Sequence, residues 1–437
     1  MPEGSLTAED VNSSLDKLQV PKRSRLAVAV SGGADSMCLA AVLNAVRPIV
    51  ALIVDHGLRP SSAAEATLTA GRLTALGIDN EILVWQHEQI PGANIQASAR
   101  EARYELMRDW CTEHEISFLC TAHHMDDQAE TVLMRLARGS GVYGLAGMAG
   151  TRDLGQGVTL VRPLLDVSKR RLTATLADKN IEWVEDPSNQ NKVFDRVKTR
   201  NLLADPPLAG LQAERLIATA QRLRRSRDAL EFYQRQWLTE AVVFFEAGYA
   251  LVDRNKFADV PEDIYLRALN SVIKFSGGGG YAPRFEKLLR LANALLSDEF
   301  SGHTLSGVKF APFSAGKILV SREISAMEAP KRIQGNTRWD DRFVLGEVGS
   351  SPEHTLLIGP VGDAGRKLVL DDLSDLKDGT FTIPKQVLPT LPGLFVEEKL
   401  IAVPHLGYKV EEIELPVLSH QWLTLSEIGK KTYRGMQ

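Results

Sequence analysis

Cysteine is scarce in this chain. Its 437 residues include three, Cys38, Cys111 and Cys120, and no two of them form a C-x-x-C pair. That argues against a disulfide scaffold, a zinc ribbon and a cysteine-ligated cluster. Long apolar runs are missing as well, since none approaches the roughly 20 residues that cross a bilayer. Residues 1–20 are polar and lack the apolar core of a secretory signal. The expectation is a cytoplasmic protein with no membrane partner. There is no excess of positive charge: the formal net charge is −4, so a nucleic-acid partner would need a local basic patch. No Gly-Lys-Ser/Thr of a Walker loop occurs, and the glycine-rich stretch at residues 31–36 lacks the GxGxxG dinucleotide pattern. No Ser/His/Asp or Cys/His set points to a nucleophilic side chain. No repeat is visible, and low complexity is confined to Gly277-Gly278-Gly279-Gly280.

What is present is a globular composition, with 44% hydrophobic and 24% charged residues. The length suggests about two to four domains. The chain is organised around Val30-Ser31-Gly32-Gly33-Ala34-Asp35-Ser36. The apolar run Leu26 to Val30 before it reads as a buried strand, and Met37 to Val46 after it as a helix. Backbone amides of such a loop, together with a helix N-terminus, form an anion site. The glycines admit phosphate close to the backbone, and the serines add donors. Asp35 is the odd member. A carboxylate beside phosphates makes sense mainly with a divalent metal between them. The alternative is an ordinary glycine-rich turn.

Further along, Ile49–Val54 reads as a second strand, leading into Asp55-His56-Gly57-Leu58-Arg59. Ser62-Ala63-Ala64-Glu65 reads as a capping box opening a helix that stops near Gly77. Ile82–Trp85 is a third strand candidate, Asn94–Glu115 a long helix, Ile116–Cys120 a fourth strand, and Met125–Arg138 another helix. Strands alternating with helices imply βαβ units and a parallel sheet, with ligands off the C-terminal strand ends. Ser31–Ser36, Asp55–Arg59 and Thr121–Asp127 should converge there. Asp55 and His56 could equally cap the next element. Arg100, Arg103 and Arg108 could form a solvated helix face. Helical spacing places His123, Asp127 and Thr131 on one face. A zinc site lacks a third His or Cys nearby, and Asp126 could be a plain N-cap. Arg135 and Arg138 precede a Gly/Ser loop and suit a phosphate or RNA contact, although these glycines could be helix stops alone.

Several motifs follow one another along the chain: Ser31-Gly-Gly-Ala-Asp-Ser36, Val54-Asp-His-Gly-Leu-Arg59 and His123-His-x-Asp-Asp-Gln128-x-Glu-Thr131. Arg138-Gly-Ser-Gly141, Gly144-Leu-x-Gly-Met148, Arg162-Pro-Leu-Leu165 and Glu185-Asp-Pro-Ser-Asn189 follow. The set resembles the tRNA(Ile)-lysidine synthetases of the PP-loop ATPases, densely over residues 25–201 and more loosely beyond. The first motif is common to PP-loop enzymes, and the later ones select this branch. The resemblance implies an α/β fold with a parallel, Rossmann-like PP-loop domain. It implies a ligase that uses ATP and Mg²⁺ to adenylate the carbon 2 oxygen of the wobble cytidine in a CAU-anticodon isoleucine tRNA. L-lysine then displaces AMP. Ser31, Gly32, Gly33, Ala34, Asp35 and Ser36 would hold ATP. Asp35 and Asp127 would hold the metal, and Asp35, Arg103, His123 and Asp127 would form the catalytic set. His123 would position ATP or act as a general base. The family's Arg-Asn-x-x-Arg run is replaced by Phe194-Asp195-Arg196-Val197-Lys198-Thr199-Arg200-Asn201, so only basic character carries over.

Asp205-Pro206-Pro207 breaks the chain. The expected domains are 1–208, the PP-loop catalytic domain; 209–329, mainly helical and tRNA-binding; and 330–437, small and β-rich. Residues 196–227 hold eight Lys/Arg against two Asp/Glu. Leu216, Ala220, Leu223 and Leu230 form an apolar stripe, and Arg215, Arg222 and Arg225 fall away from it. These three, with Arg135, Arg138, Arg196, Lys198 and Arg200, are candidate tRNA contacts, the alternative being a solvated face. Residues 303–323 suggest a hairpin. A homodimer stays open. The rival functions are a sibling tRNA thiolase, which would need a catalytic cysteine, and a non-catalytic ATP-binding tRNA chaperone.

Overall fold

A computed structural model describes residues 4–86, 95–184, 195–208, 210–279, 282–335, 337–346, 355–374, 383–410, 418–420 and 433–434. The Glu185–Asn189 motif, Phe194 and Gly280 lie outside the described residues. The chain forms two compact units, Met1–Arg227 and Asp228–Gln437.

In the first unit the strands are β1 (Leu26–Ala29), β2 (Ile49–Asp55), β3 (Asn80–Val84), β4 (Phe118–Cys120), β5 (Thr151–Asp153) and β6 (Thr159–Val161). They form one sheet in the order β3-β2-β1-β4-β6-β5, parallel except for β5 against β6. The helices are α1 (Ala8–Lys17), α2 (Ala34–Asn44), α3 (Ser62–Ala75), α4 (Ile95–Glu113), α5 (Met125–Ala137), α6 (Val142–Leu145), α7 (Lys169–Asp178) and α8 (Asp195–Ala204). The next helix, α9 (Ala213–Ala241), begins in this unit and carries the chain into the second.

Both faces of this sheet are covered, which explains why its strands read as continuous apolar runs rather than alternating ones. Leu26, Val28, Ile49, Ala51 and Ile53 pack on one face with Leu39 and Leu43 of α2 and Leu172 and Leu176 of α7. Ala27, Val50, Leu52, Leu119 and Leu160 pack on the other with Met107 and Cys111 of α4. After β1 the chain builds β2 and β3 to one side, then returns to β4 on the other. The crossover between β1 and β4 is where an open α/β sheet leaves a crevice.

One helix start and two helix caps differ from expectation. Helix α2 begins at Ala34, not Met37, because Gly33 adopts the extended N-cap conformation (φ −74°, ψ 161°) and its carbonyl accepts the Met37 amide at 3.0 Å. The last half of the serine-glycine motif is therefore the first helical turn. The Ser62/Glu65 capping box does not form. Ser61 Oγ donates to Glu65 Oε1 at 2.8 Å, while Ser62 Oγ donates to Asp55. Helix α5 is capped by His124 rather than Asp126, with Asp127 as the reciprocal N3 carboxylate. His123 consequently precedes the helix and is not on its face.

In the second unit α10 (Glu262–Gly277) and α11 (Phe285–Leu296) accompany an antiparallel sheet of β7 (Val242–Phe245), β8 (Tyr249–Asp253), β9 (His303–Leu305), β10 (Val308–Pro312) and β11 (Lys317–Arg322). The hairpin expected in 303–323 is β9 to β11. Farther on, β12 (Lys331–Arg332), β13 (Arg338–Trp339), β14 (Phe343–Leu345), β15 (Leu356–Pro360), α12 (Gly362–Ser374), β16 (Pro392–Val396), β17 (Lys399–Val403), β18 (Tyr408–Lys409) and β19 (Leu418–His420) build two more antiparallel sheets. The short β20 (Tyr433–Arg434) joins β7. Arg342, fully buried, is held by Asp340 Oδ2 at 2.6 Å. Among the described residues no helix is long and apolar enough to cross a membrane.

Candidate active site

The serine-glycine loop leaves β1 and turns at Gly32, whose φ of +82° an L side chain resists. Its carbonyl accepts the Val184 amide at 2.9 Å. Ser36 Oγ donates to the Gly33 carbonyl at 2.9 Å and accepts the Ser31 amide at 3.2 Å, closing the loop on itself. No side chain caps α2. Helix geometry leaves its first-turn amides without intrahelical acceptors, at the positive end of the helix dipole. This is an anion receptor built from Ser31 to Ser36.

Asp35 lies in that first turn. Its Oδ2 is 3.2 Å from Lys169 Nζ and 3.5 Å from His124 Nε2. Its Oδ1 is buried with no hydrogen-bond partner. Burial alone would raise the Asp35 pKa, but His124 and Lys169 outweigh it and hold the carboxyl below its ordinary value. His124, from the loop after β4, reaches across the crossover. Its Nε2 sits 3.4 Å from Asp127 Oδ2, and its Nδ1 3.4 Å from Asp126 Oδ2. Burial opposes its charge, yet the Asp126, Asp35 and Asp127 carboxylates lift it to about 9. At neutral pH an imidazolium thus holds Asp35 and Asp127 together.

Asp127 Oδ1 also accepts from Arg196 Nη2 at 2.6 Å. Arg196 Nε bonds Glu130 Oε2 at 2.7 Å, and Arg200 Nε bonds Glu130 Oε1 at 2.8 Å. Glu130 is 1% exposed, so these pairs neutralise a carboxylate that could not otherwise be buried charged. Arg196 and Arg200 therefore tie α8 to α5. His123 feels the Asp127 and Arg196 charges but hydrogen-bonds elsewhere. Its Nδ1 is 2.9 Å from Thr121 Oγ1, and burial, aided by Arg162, pushes its pKa down to about 4. Arg103 is half-buried, and burial lowers its pKa. Among the described residues its guanidinium makes no hydrogen bond or ion pair.

The remaining candidates divide by role. Arg135 donates to the Gly144 and Gly147 carbonyls at 2.8 and 3.0 Å, fastening the glycine loop. Arg138, Lys198, Arg215, Arg222 and Arg225 are exposed. Asp55 accepts the Gly57 amide at 3.1 Å and His56 Nδ1 the Leu58 amide at 3.1 Å, so this pair shapes its own turn. Gln128 bonds both the amide and carbonyl of Met148, at 2.6 and 2.8 Å, which accounts for the Gly144–Met148 motif as packing. Sequence reasoning missed His124 and Lys169. The spacing from His124 to Asp127 is that of a capping box, and Ser168 caps the helix that Lys169 begins.

Two carboxylates that flank one imidazole, one with an unpartnered oxygen, suit Mg²⁺. That ion takes one or two protein carboxylates and completes its shell with water and phosphate. Among the described residues no group of three or more His, Cys, Asp or Glu could form a dedicated all-protein cage.

Residues 7–206 match the PP-loop domain family. A tRNA(Ile)-lysidine synthase from Ruegeria pomeroyi is 35% identical over 418 residues, 94% of this chain and 93% of that protein. The chain belongs to the tRNA(Ile)-lysidine synthase family. Relatives with the same name from Wolbachia sp. subsp. Brugia malayi and Anaplasma marginale are 33% and 35% identical, over 89% and 79% of this chain and 90% and 76% of theirs. It is an ATP-using ligase of the PP-loop class. The thiolase alternative is not favoured. Cys38, Cys111 and Cys120 are all buried, and burial pushes each thiol up to about 12, far from a reactive thiolate at neutral pH.

Proposed function

We propose that this chain joins L-lysine to carbon 2 of the wobble cytidine in a CAU-anticodon isoleucine tRNA, forming lysidine. One observation carries the mechanism: the uncapped start of α2 lies beside the unpartnered Oδ1 of Asp35, at the sheet crossover. The loop amides and the Ser31 and Ser36 hydroxyls hold the pyrophosphate of ATP as leaving group. Asp35, with Asp127, would hold Mg²⁺, which when bound would neutralise phosphate charge. His124 keeps the two carboxylates in place. Arg103, a half-buried cation with no hydrogen-bond or ion-pair partner among the described residues, stabilises charge that develops as the cytidine oxygen attacks the α-phosphate. His123 is neutral at working pH and positions ATP. The lysine ε-amine then displaces AMP from carbon 2.

The chemistry belongs to residues 1–208. Exposed Arg138, Lys198, Arg215, Arg222 and Arg225 supply the local positive surface that a net charge of −4 demands. Arg135, Arg196 and Arg200 act on the RNA indirectly, by holding the site's frame. Residues 209–329 and 330–437 help select the tRNA, which acts in the cytoplasm. The test is release of AMP and pyrophosphate from ATP, with Mg²⁺, lysine and a CAU-anticodon transcript. The reading expects both products in equal amounts and only with that cytidine present. Equal turnover with uridine at the wobble position overturns it.

A further inference from the structure

Three more arginines converge on Tyr104, away from the serine-glycine loop. Arg100, one turn before Tyr104 on α4, donates from Nη2 to its hydroxyl at 3.2 Å and lies 5.2 Å from the ring centroid. Arg152 of β5 lies 6.0 Å from the same centroid. Arg162, just past the end of β6, is only 7% exposed and interacts with the Tyr104 phenol and with both other arginines. Its Nη1 donates to the Ala149 carbonyl at 2.8 Å, but its Nε is buried with no partner. Among the described residues, none of the three guanidiniums is paired with a carboxylate.

Like charges gathered without counterions destabilise a fold, and a cation enclosed without one costs more. Anchoring the Ala149 carbonyl would explain one arginine. It would not explain three around one aromatic ring. The missing component is an anion, and guanidinium forks are the donors best matched to phosphate. The cluster stands at the C-terminal ends of β4 and β6, on the side of β4 opposite the serine-glycine loop. His123, from the loop after β4, feels the charge of both Arg162 and Arg100. Tyr104 adds an aromatic face of the kind on which unstacked bases rest.

We infer that Arg100, Arg152 and Arg162 form a second phosphate site, which grips one phosphodiester of the RNA strand beside the base being modified. This rests on the reading that a polynucleotide is the substrate. It differs from the exposed arginines of α9, because the deepest member is enclosed and the site takes a single phosphate.

The test uses the full chain with Arg100→Ala and Arg152→Ala, singly and together, both at exposed positions. Arg108→Ala, already paired with Asp109 at 2.8 Å, is the control. Binding of the CAU-anticodon tRNA is measured across a salt series, with KM for ATP measured in parallel. The double variant should cut the slope of log K against log salt by about 0.7, the value for one phosphate on a single strand, each single variant should cut it by part of that, and all should leave KM for ATP unchanged. The control should keep the wild-type slope. An unchanged slope in folded variants overturns the site. So does a raised KM for ATP at wild-type slope, which would assign the arginines to the nucleotide. Because binding is read without ligation, a chain that shows the slope change but adds no lysine would defeat the proposed function alone.

Discussion

Gly32→Ala perturbs the serine-glycine loop in two separable ways. The left-handed backbone at φ +82° costs an L residue about 1–2 kcal/mol. A Cβ there would also overlap Thr69 Oγ1, with Thr69 Cβ 3.5 Å away. Thr69 cannot easily yield: it is 1% exposed, and its hydroxyl donates to the Glu65 carbonyl at 2.8 Å. Overpacking of that kind adds about 1–3 kcal/mol. The total is about 2–5 kcal/mol. In a Thr69→Ala background the overlapping oxygen is gone and the remaining contact is ordinary, so Gly32→Ala should cost only the backbone part. The double variant should therefore be about 1–3 kcal/mol more stable than the sum of the singles predicts. Native-state hydrogen exchange at amides of β1 and α2 reads this within the first unit, without treating the two-unit chain as two-state. Wild-type protection in Gly32→Ala, or strict additivity in the cycle, would refute the loop geometry. Gly32→Ala should also raise KM for ATP at least about tenfold, since it displaces amides that face phosphate.

Asp35→Ala and Asp127→Ala should each reduce lysine ligation by about 1,000-fold and leave tRNA affinity within a few-fold, as read by filter binding beside product analysis. Wild-type-like ligation by either variant would remove both from the metal site. The second unit should weaken in acid. The His405 ring packs 5.5 Å from Phe343. Burial first, then the Arg342 charge, pushes its pKa down to about 4. The unfolded chain, with an ordinary histidine near 6.5, binds the proton more readily, so stability is present above that value and is lost as pH falls toward 4. The loss between pH 7 and pH 5 is about 2 kcal/mol from this residue. Hydrogen exchange of β17 amides at the two pH values should show it, and His405→Gln should flatten the difference. An equal pH response in that variant would assign the loss elsewhere.

The serine-glycine loop was legible because its chemistry is local: two glycines, two serines and a carboxylate between a strand and a helix. The parallel sheet was legible for the same reason, its strands being continuous apolar runs buried on both faces. The placement of polar side chains was not, because it depends on where the helix is capped. Carrying the helical spacing of Asp127 and Thr131 back to His123 put that residue on the helix face. The actual cap, His124, turns His123 toward Thr121 and becomes the bridge between Asp35 and Asp127. Arg196 and Arg200 read as surface cations because Glu130, their partner, lies about seventy residues earlier. The hairpin of Val242–Phe245 and Tyr249–Asp253 was hidden because its apolar residues continue directly from α9. The turn at Gly248, with φ +80°, is the sole local signal.

The most direct test of the account is the mass of the modified nucleoside. The protein is incubated with ATP, Mg²⁺, isotope-labelled lysine and the CAU-anticodon isoleucine tRNA, and the tRNA is digested to nucleosides. The account predicts that the wobble cytidine gains the mass of lysine less one water, with the label retained, and that nothing forms without ATP. A cytidine of unchanged mass, or a product carrying sulfur or no label, would contradict it.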